Sequence, residues 1–259
     1  MSIPKTIHYC WFGRGPKPEL AKKCIESWKK YCPDYEIIEW NEDNFDIRSM
    51  TFTEEAYRSK KYAFVTDYVR LYVMYTYGGI YMDTDVEVIK NLDDVLHYQA
   101  FSGFESVDRV PTGIMAFEKG MPLLQELIDY YDNRHFLNHD GEMDMTTNVE
   151  IITNILSSHG LLLNGQFQIV DGFALFPPDY FCPKDLQTLD VNITKNTYTI
   201  HHFNGSWQTP EQKKAMEEYR RITKLFGAST GERILLAKRL LREQGIKELT
   251  LRVIRHFKK

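Results

Sequence analysis

Asp83 and Asp85 stand two residues apart, directly after the short run Gly79, Ile80, Tyr81 and Met82. On an extended strand alternate side chains share a face, so the two carboxylates would lie on one side, roughly 6–7 Å apart. Two anions held that near repel unless a cation sits between them. Oxygen ligation with so short a spacer suits Mg²⁺ or Mn²⁺, which keep some water and take further ligands from a substrate's phosphates. An isolated Asp-x-Asp is equally what a solvated turn looks like, since Asp is common at turns and strand ends. The neighbourhood shifts the balance toward chemistry. Glu54 to Tyr77 reads as one helix, stopped by Gly78 where a left-handed cap is expected. Within it Asp67 and Arg70, spaced i and i+3, share a face with Ala63 and Met74. A local helix ion pair would explain them without function and contribute little. This helix, however, empties into the strand that carries the aspartates, so its polar face can point at the same cation. One acceptor and one donor at fixed separation suit a sugar hydroxyl.

The pattern of Ala63, Asp67 and Arg70 followed by Gly78, Gly79, Tyr81, Asp83 and Asp85 resembles the sugar-binding region of glycosyltransferase family 32. Relatives of that family include capsular polysaccharide transferases and fungal mannosyltransferases, with clostridial glucosylating toxins as more distant kin. The resemblance implies that Asp67 and Arg70 hold the donor sugar, while Tyr81, Asp83 and Asp85 hold metal and diphosphate. The opening stretch Ile3 to Gly13 resembles the family's first strand, which places His8, Trp11 and Gly13 on the donor, the aromatic stacking on the base. A flat ring beside a glycine that admits close backbone approach fits that use, although a core tryptophan is the competing reading. The late segment His201 to Trp207 resembles the closing motif, in which a histidine completes the metal site and Ser206 with Trp207 contacts the diphosphate. Of His201 and His202 the expectation falls on His202, and an imidazole favours Mn²⁺ over Mg²⁺. Thr112, Gly113 and Asn148 are expected at the acceptor rim.

What the resemblance implies for the whole is an α/β fold, a GT-A-like nucleotide-sugar-binding mixed sheet flanked by helices, with a C-terminal helical extension. It further implies metal-dependent, retaining transfer of a hexose from a nucleotide-diphosphate sugar to a polysaccharide or lipid-linked oligosaccharide. UDP-galactose or UDP-glucose is favoured as donor, with GDP-mannose as the alternative. Two rivals are a metal-dependent phosphohydrolase and a non-catalytic carbohydrate-binding protein. Phosphatases that form an aspartyl phosphate place the acidic motif after the first apolar strand, whereas here it follows a helix and a third strand.

The elements that must position these residues alternate along the chain. Strands are expected at 3–10, 35–40, 79–82, 86–89, 100–104, 114–117, 167–170, 174–176 and 197–201. Helices are expected at 19–31, 54–77, 122–131, 146–158, 211–226 and 232–257, with a polar loop at 132–145 as a lid or acceptor rim. A chain of 259 residues supports one large α/β domain over 1–210 with an extension over 211–259. The extension differs in charge: from residue 211 on there are fourteen Lys and Arg against six Glu, in a chain whose net charge is −4. Its apolar positions among basic ones suit an anionic membrane surface as well as a helix packed on the domain. Nucleic acid is excluded as a partner, because the body is acidic and no base-reading motif accompanies the tail. Cys10, Cys24, Cys32 and Cys182 show no zinc or C-x-x-C spacing and are expected as reduced thiols. With no signal pattern and no apolar run near 18 residues, the expected location is cytoplasmic, peripheral at the inner face of the cell membrane.

Overall fold

The computed structural model describes residues 2–110, 113–185, 188–205, 208–227, 230–231 and 233–238. In chain order the elements are β1 (Thr6–Cys10), α1 (Glu19–Tyr31), β2 (Glu36–Trp40), α2 (Thr51–Arg58), α3 (Tyr62–Tyr77), β3 (Gly79–Met82) and β4 (Val86–Val88). There follow β5 (Ala100–Gly103), β6 (Ile114–Phe117), α4 (Pro122–Asp129), α5 (Asn148–Ser158), β7 (Gln168–Val170) and β8 (Phe173–Phe176). The series closes with α6 (Pro178–Phe181), β9 (Thr199–His201) and α7 (Pro210–Phe226). Seven strands form one mixed sheet in the order β2-β1-β3-β6-β5-β8-β7, and β4 pairs with β9 in a small separate ribbon. This is the expected mixed sheet flanked by helices. The chain divides into two compact units, residues 1–184 with 191–207, and residues 185–190 with 208–259.

Strand alternation builds two cores in the first unit. On β1, Ile7 and Tyr9 face one side with Ile80 and Met82 of β3, where they meet Cys24, Ile25 and Trp28 of α1. Cys10 and Tyr81, one residue out of phase, face the other side among α2, α3, α4 and α5. α1 needs only a stripe of apolar residues, since its outer face is solvated. α3 is buried nearly all round, and even Asp67 and Arg70 are enclosed.

The helix expected over 54–77 is two helices. α2 ends in a turn where Lys60 adopts φ +56° and the Lys61 N–H reaches back to the Ala56 carbonyl at 2.9 Å. That six-to-one bond is a Schellman-type ending, here built on lysine where glycine is usual. Gly78 does end α3 with positive φ (+70°), its N–H bonded to the Met74 carbonyl. It also has no room for a side chain: a Cβ there would lie 2.9 Å from the Lys119 backbone nitrogen.

α1 also braces the ribbon that follows the acidic pair. The Trp28 indole N–H donates to the Val86 carbonyl at 2.7 Å, and the Val88 N–H donates to the Ser27 hydroxyl at 2.9 Å. Most of the helix expected at 232–257 lies outside the described residues.

Candidate active site

β1, β2, β3, β5 and β8 run parallel, so their C-terminal ends leave the sheet at one edge, the usual place for a ligand in an α/β sheet. The turn after β3, the β5–β6 loop and the end of β9 meet there. Asp83 and Asp85 are not on an extended strand as expected. β3 ends at Met82, and Asp83 to Val86 form a tight turn closed by the Val86 N–H on the Asp83 carbonyl at 3.0 Å. The carboxylates therefore converge through a turn rather than through strand alternation. The Asp83 N–H donates to the Gly113 carbonyl at 2.8 Å, tying the turn to the start of β6.

One ligand atom from each of Asp83, Asp85 and His201 lies within 4.8 Å of the others. The histidine that the structure brings to the acidic pair is His201, where His202 was expected. Neighbouring residues leaving β9 face opposite ways: His201 Nε2 sits 3.3 Å from Asp85 Oδ1, whereas His202 Nε2 turns to Glu87 Oε2 at 2.8 Å. Burial would lower the pKa of His201, but the Asp85 carboxylate holds it well above the usual imidazole range. Burial likewise pushes Asp85 up, and the His201 charge, with hydrogen bonds from His201 and the Asn204 N–H, brings it down to about 2. Each group thus favours the charged form of the other. His201 Nδ1 is buried without a hydrogen-bond partner of ordinary geometry, the Cys182 thiol lying beside the ring. Two carboxylates and an imidazole whose ligand atoms lie this close fit a divalent ion.

Behind this cluster lies a second one. Arg70 Nη2 is 3.1 Å from Asp67 Oδ1 and 3.4 Å from Asp83 Oδ1, and its guanidinium lies over the Tyr81 ring at 4.6 Å. The Tyr81 hydroxyl donates to Asp83 Oδ1 at 2.8 Å. Both contacts fall on Oδ1, which leaves Oδ2 for a ligand. Tyr81, expected on the donor, is instead buried beneath Arg70 and reaches the site only through Asp83. Burial raises Asp83, with Arg70 opposing, and raises Asp67 to about 7 against the same opposition. Arg70 keeps its charge despite burial, because Asp83, Tyr81 and Asp67 surround it.

Two further expectations change. His8 is fully buried and both ring nitrogens are used: Nδ1 accepts from the Trp40 indole N–H at 3.1 Å, which leaves Nε2–H to donate to the Gly78 carbonyl at 2.9 Å. It braces the end of α3 and has no nitrogen left for a donor substrate. Asn148, expected at the acceptor rim, is 1% exposed. Its Nδ2 donates to the Asp67 carbonyl at 2.8 Å and its Oδ1 accepts from the Tyr131 hydroxyl at 2.6 Å. It pins α5 to α3 at the level of Asp67.

Gly113 does lie at the cluster, where a Cβ would come within 2.9 Å of His201 Nδ1. Trp11 is half-buried at the β1 edge with its indole N–H on the Gly15 carbonyl at 2.7 Å. It lines an open cleft of about 210 Å³ with Arg14, Lys17 and Glu39. Gly13 takes φ +93° and donates its N–H to Glu42 Oε1 at 2.6 Å, a partner the sequence reading missed because no local spacing links them. Glu42 also borders a larger cleft of about 690 Å³ under α2; among the described residues neither cleft is lined by Asp83 or Asp85. Thr112, Ser206 and Trp207 lie outside the described residues.

Residues 18–102 match the family described as "Glycosyltransferase sugar-binding region containing DXD motif". The chain is 32% identical over 136 residues to inositol phosphoceramide mannosyltransferase 3 of Schizosaccharomyces pombe, covering 49% of this chain and 36% of that protein. It is 29% identical over 133 residues to mannosyl phosphorylinositol ceramide synthase CSH1 of Saccharomyces cerevisiae, covering 49% of this chain and 34% of that protein. The chain therefore spans about a third of the length of these relatives. Among solved structures it is similar to the PaToxG glycosyltransferase, with 20% identity, a TM-score of 0.45, and coverage of 61% of this chain and 70% of that one. The resemblance read from Asp67, Arg70, Asp83 and Asp85 is thus met by the family match, which contains all four.

Proposed function

We propose that this chain, which carries a DXD-containing glycosyltransferase sugar-binding region, moves a hexose from a nucleotide-diphosphate sugar to an acceptor hydroxyl. The observation that carries the reading is the convergence of Asp83, Asp85 and His201 beside the buried Asp67–Arg70 pair. A divalent ion bound by the first three would supply positive charge to the leaving diphosphate. The chain's own part is orientation. Tyr81 and Arg70 fix one oxygen of Asp83, the Asn204 N–H fixes Asp85 Oδ2, and Gly113 leaves room for the His201 ring. Asp67 and Arg70 together offer an acceptor and donors to the sugar hydroxyls, held rigidly by Asn148 on the backbone behind them. Preorganised groups of this kind supply the largest share of many enzymes' rate. Retention of configuration follows from the family resemblance and is part of the proposal.

Relatives named as mannosyltransferases favour mannose as the transferred sugar over the galactose or glucose expected from the sequence, and their ceramide names favour a lipid-borne acceptor. Among the described residues no helix is long and apolar enough to cross a membrane. Contact with an anionic membrane through the basic residues after 210, and a cytoplasmic inner-face location, belong to the same proposal. The test is nucleotide release from GDP-mannose, UDP-glucose and UDP-galactose with and without Mn²⁺, in wild type and Asp85→Asn. Metal-dependent release that is lost in Asp85→Asn supports the reading. Release of inorganic phosphate instead, or no dependence on Asp85, rejects it.

A further inference from the structure

Phe203 follows the two histidines and is the one aromatic residue with positive φ among the described residues, at +56°. A bulky side chain stays in the left-handed region only where its surroundings over-determine it, and such outliers gather at functional sites. The surroundings here are explicit. The N–H groups on either side of Phe203 both close on Asp85: His202 donates to its backbone carbonyl at 2.9 Å, and Asn204 to its Oδ2 at 2.8 Å. His202 is pinned further, its ring against Glu87 Oε2 at 2.8 Å and its carbonyl accepting from Lys184 Nζ at 2.9 Å. The chain therefore bends at Phe203 as it leaves β9 and closes around one aspartate of the acidic pair.

The bend also places the Phe203 ring, whose centroid lies 4.3 Å from that of His201 with 38° between the planes. Gly113 borders the same imidazole, where a Cβ would meet Nδ1 at 2.9 Å and Cε1 at 3.0 Å. A histidine that ligates a metal is usually aimed by a hydrogen bond from its other ring nitrogen. His201 has no such bond, since Nδ1 is buried without a partner while Nε2 faces Asp85 Oδ1 at 3.3 Å. Packing must do the aiming instead. Resting on the reading that Asp83, Asp85 and His201 hold a divalent ion, we propose that Phe203 is a positioning residue of that centre, its ring serving in place of a hydrogen-bond partner to orient His201.

The experiment measures Mn²⁺ binding by paramagnetic resonance in wild type, Phe203→Gly, Phe203→Asn and Phe203→Tyr. Glycine and asparagine both accept positive φ, so they keep the bend and remove the ring. Their thermal midpoints without metal stay close to the wild-type value. Mn²⁺ affinity falls about 10- to 100-fold in both, the range for losing a group that orients a ligand, and the nitrogen hyperfine coupling from His201 to the ion weakens. Phe203→Tyr keeps the ring and binds as wild type does. A glycine or asparagine variant with wild-type affinity and coupling overturns the assignment. So does a tyrosine variant as weak as the glycine one, or a fall in affinity that only follows a fall in thermal midpoint, which would make Phe203 a packing residue. A wild type that binds no Mn²⁺, or binds it without nitrogen coupling, fails the metal reading itself, and the Phe203 assignment with it.

Discussion

Asn148 separates a rim residue from a buried pin by its energetics. In Asn148→Ala the Tyr131 hydroxyl loses its acceptor in a place where the ring is 1% exposed. An unsatisfied buried hydroxyl costs about 1–3 kcal/mol. The Asp67 carbonyl keeps its bond inside α3 and loses only a second partner, a further contribution of about 0.5–1.5 kcal/mol. The single variant should therefore lose about 2–4 kcal/mol in urea unfolding. Removing the hydroxyl as well, in Asn148→Ala with Tyr131→Phe, takes away the orphaned donor. The double variant should then be more stable than the two single losses predict, by about 1–2 kcal/mol. Because Asn148 holds the backbone of Asp67, donor affinity should fall in the single variant too. A loss below about 0.5 kcal/mol, or strict additivity of the two substitutions, would refute the pin and restore Asn148 to the surface role read from sequence.

Further outcomes follow from the same geometry. Gly113→Ala places a methyl within 2.9 Å of His201 Nδ1 and must displace the ring, so Mn²⁺ affinity measured by paramagnetic resonance should drop about tenfold. His201→Gln should lose Mn²⁺ binding while His202→Gln retains it, since His202 is engaged with Glu87; the reverse order would overturn the ligand set. His159, at the end of α5, faces Asp171 and Glu126, and the hydrogen bond with Asp171 leads the raising of its pKa. A histidine whose folded pKa is raised contributes stability that is complete below its unfolded value near 6.5 and is lost as pH climbs through the folded value. Urea midpoints of wild type should accordingly fall from pH 6 upward relative to His159→Gln, and parallel curves would contradict the clasp.

Much of the architecture was legible because local pattern and tertiary fate agree. α1 was read at its observed bounds, since Cys24, Ile25 and Trp28 lie on one stripe between a proline start and a basic last turn. Gly78 was legible because its positive φ and its crowding against Lys119 both demand glycine. The break between α2 and α3 was not, because Lys60 takes a left-handed conformation without the residue type that announces it. The acidic pair was expected on an extended strand and sits in a turn, as two aspartates after a strand do not reveal whether the strand continues or turns. His8 and Asn148 were misplaced for one reason. A polar side chain in a motif looks available to a ligand until packing shows its hydrogen bonds already made inside the protein. The choice between His201 and His202 depended on the phase of β9, a three-residue strand too short to fix its own alternation.

The central claim is that a divalent ion is held where the β3 turn and the end of β9 meet. Crystals grown with Mn²⁺ and a nucleoside diphosphate, measured near the manganese absorption edge, test it directly. An anomalous peak bonded to Asp83, Asp85 and His201 and shared with the diphosphate oxygens is the predicted result. A nucleotide seated without metal, or manganese bound away from these three side chains, would contradict it.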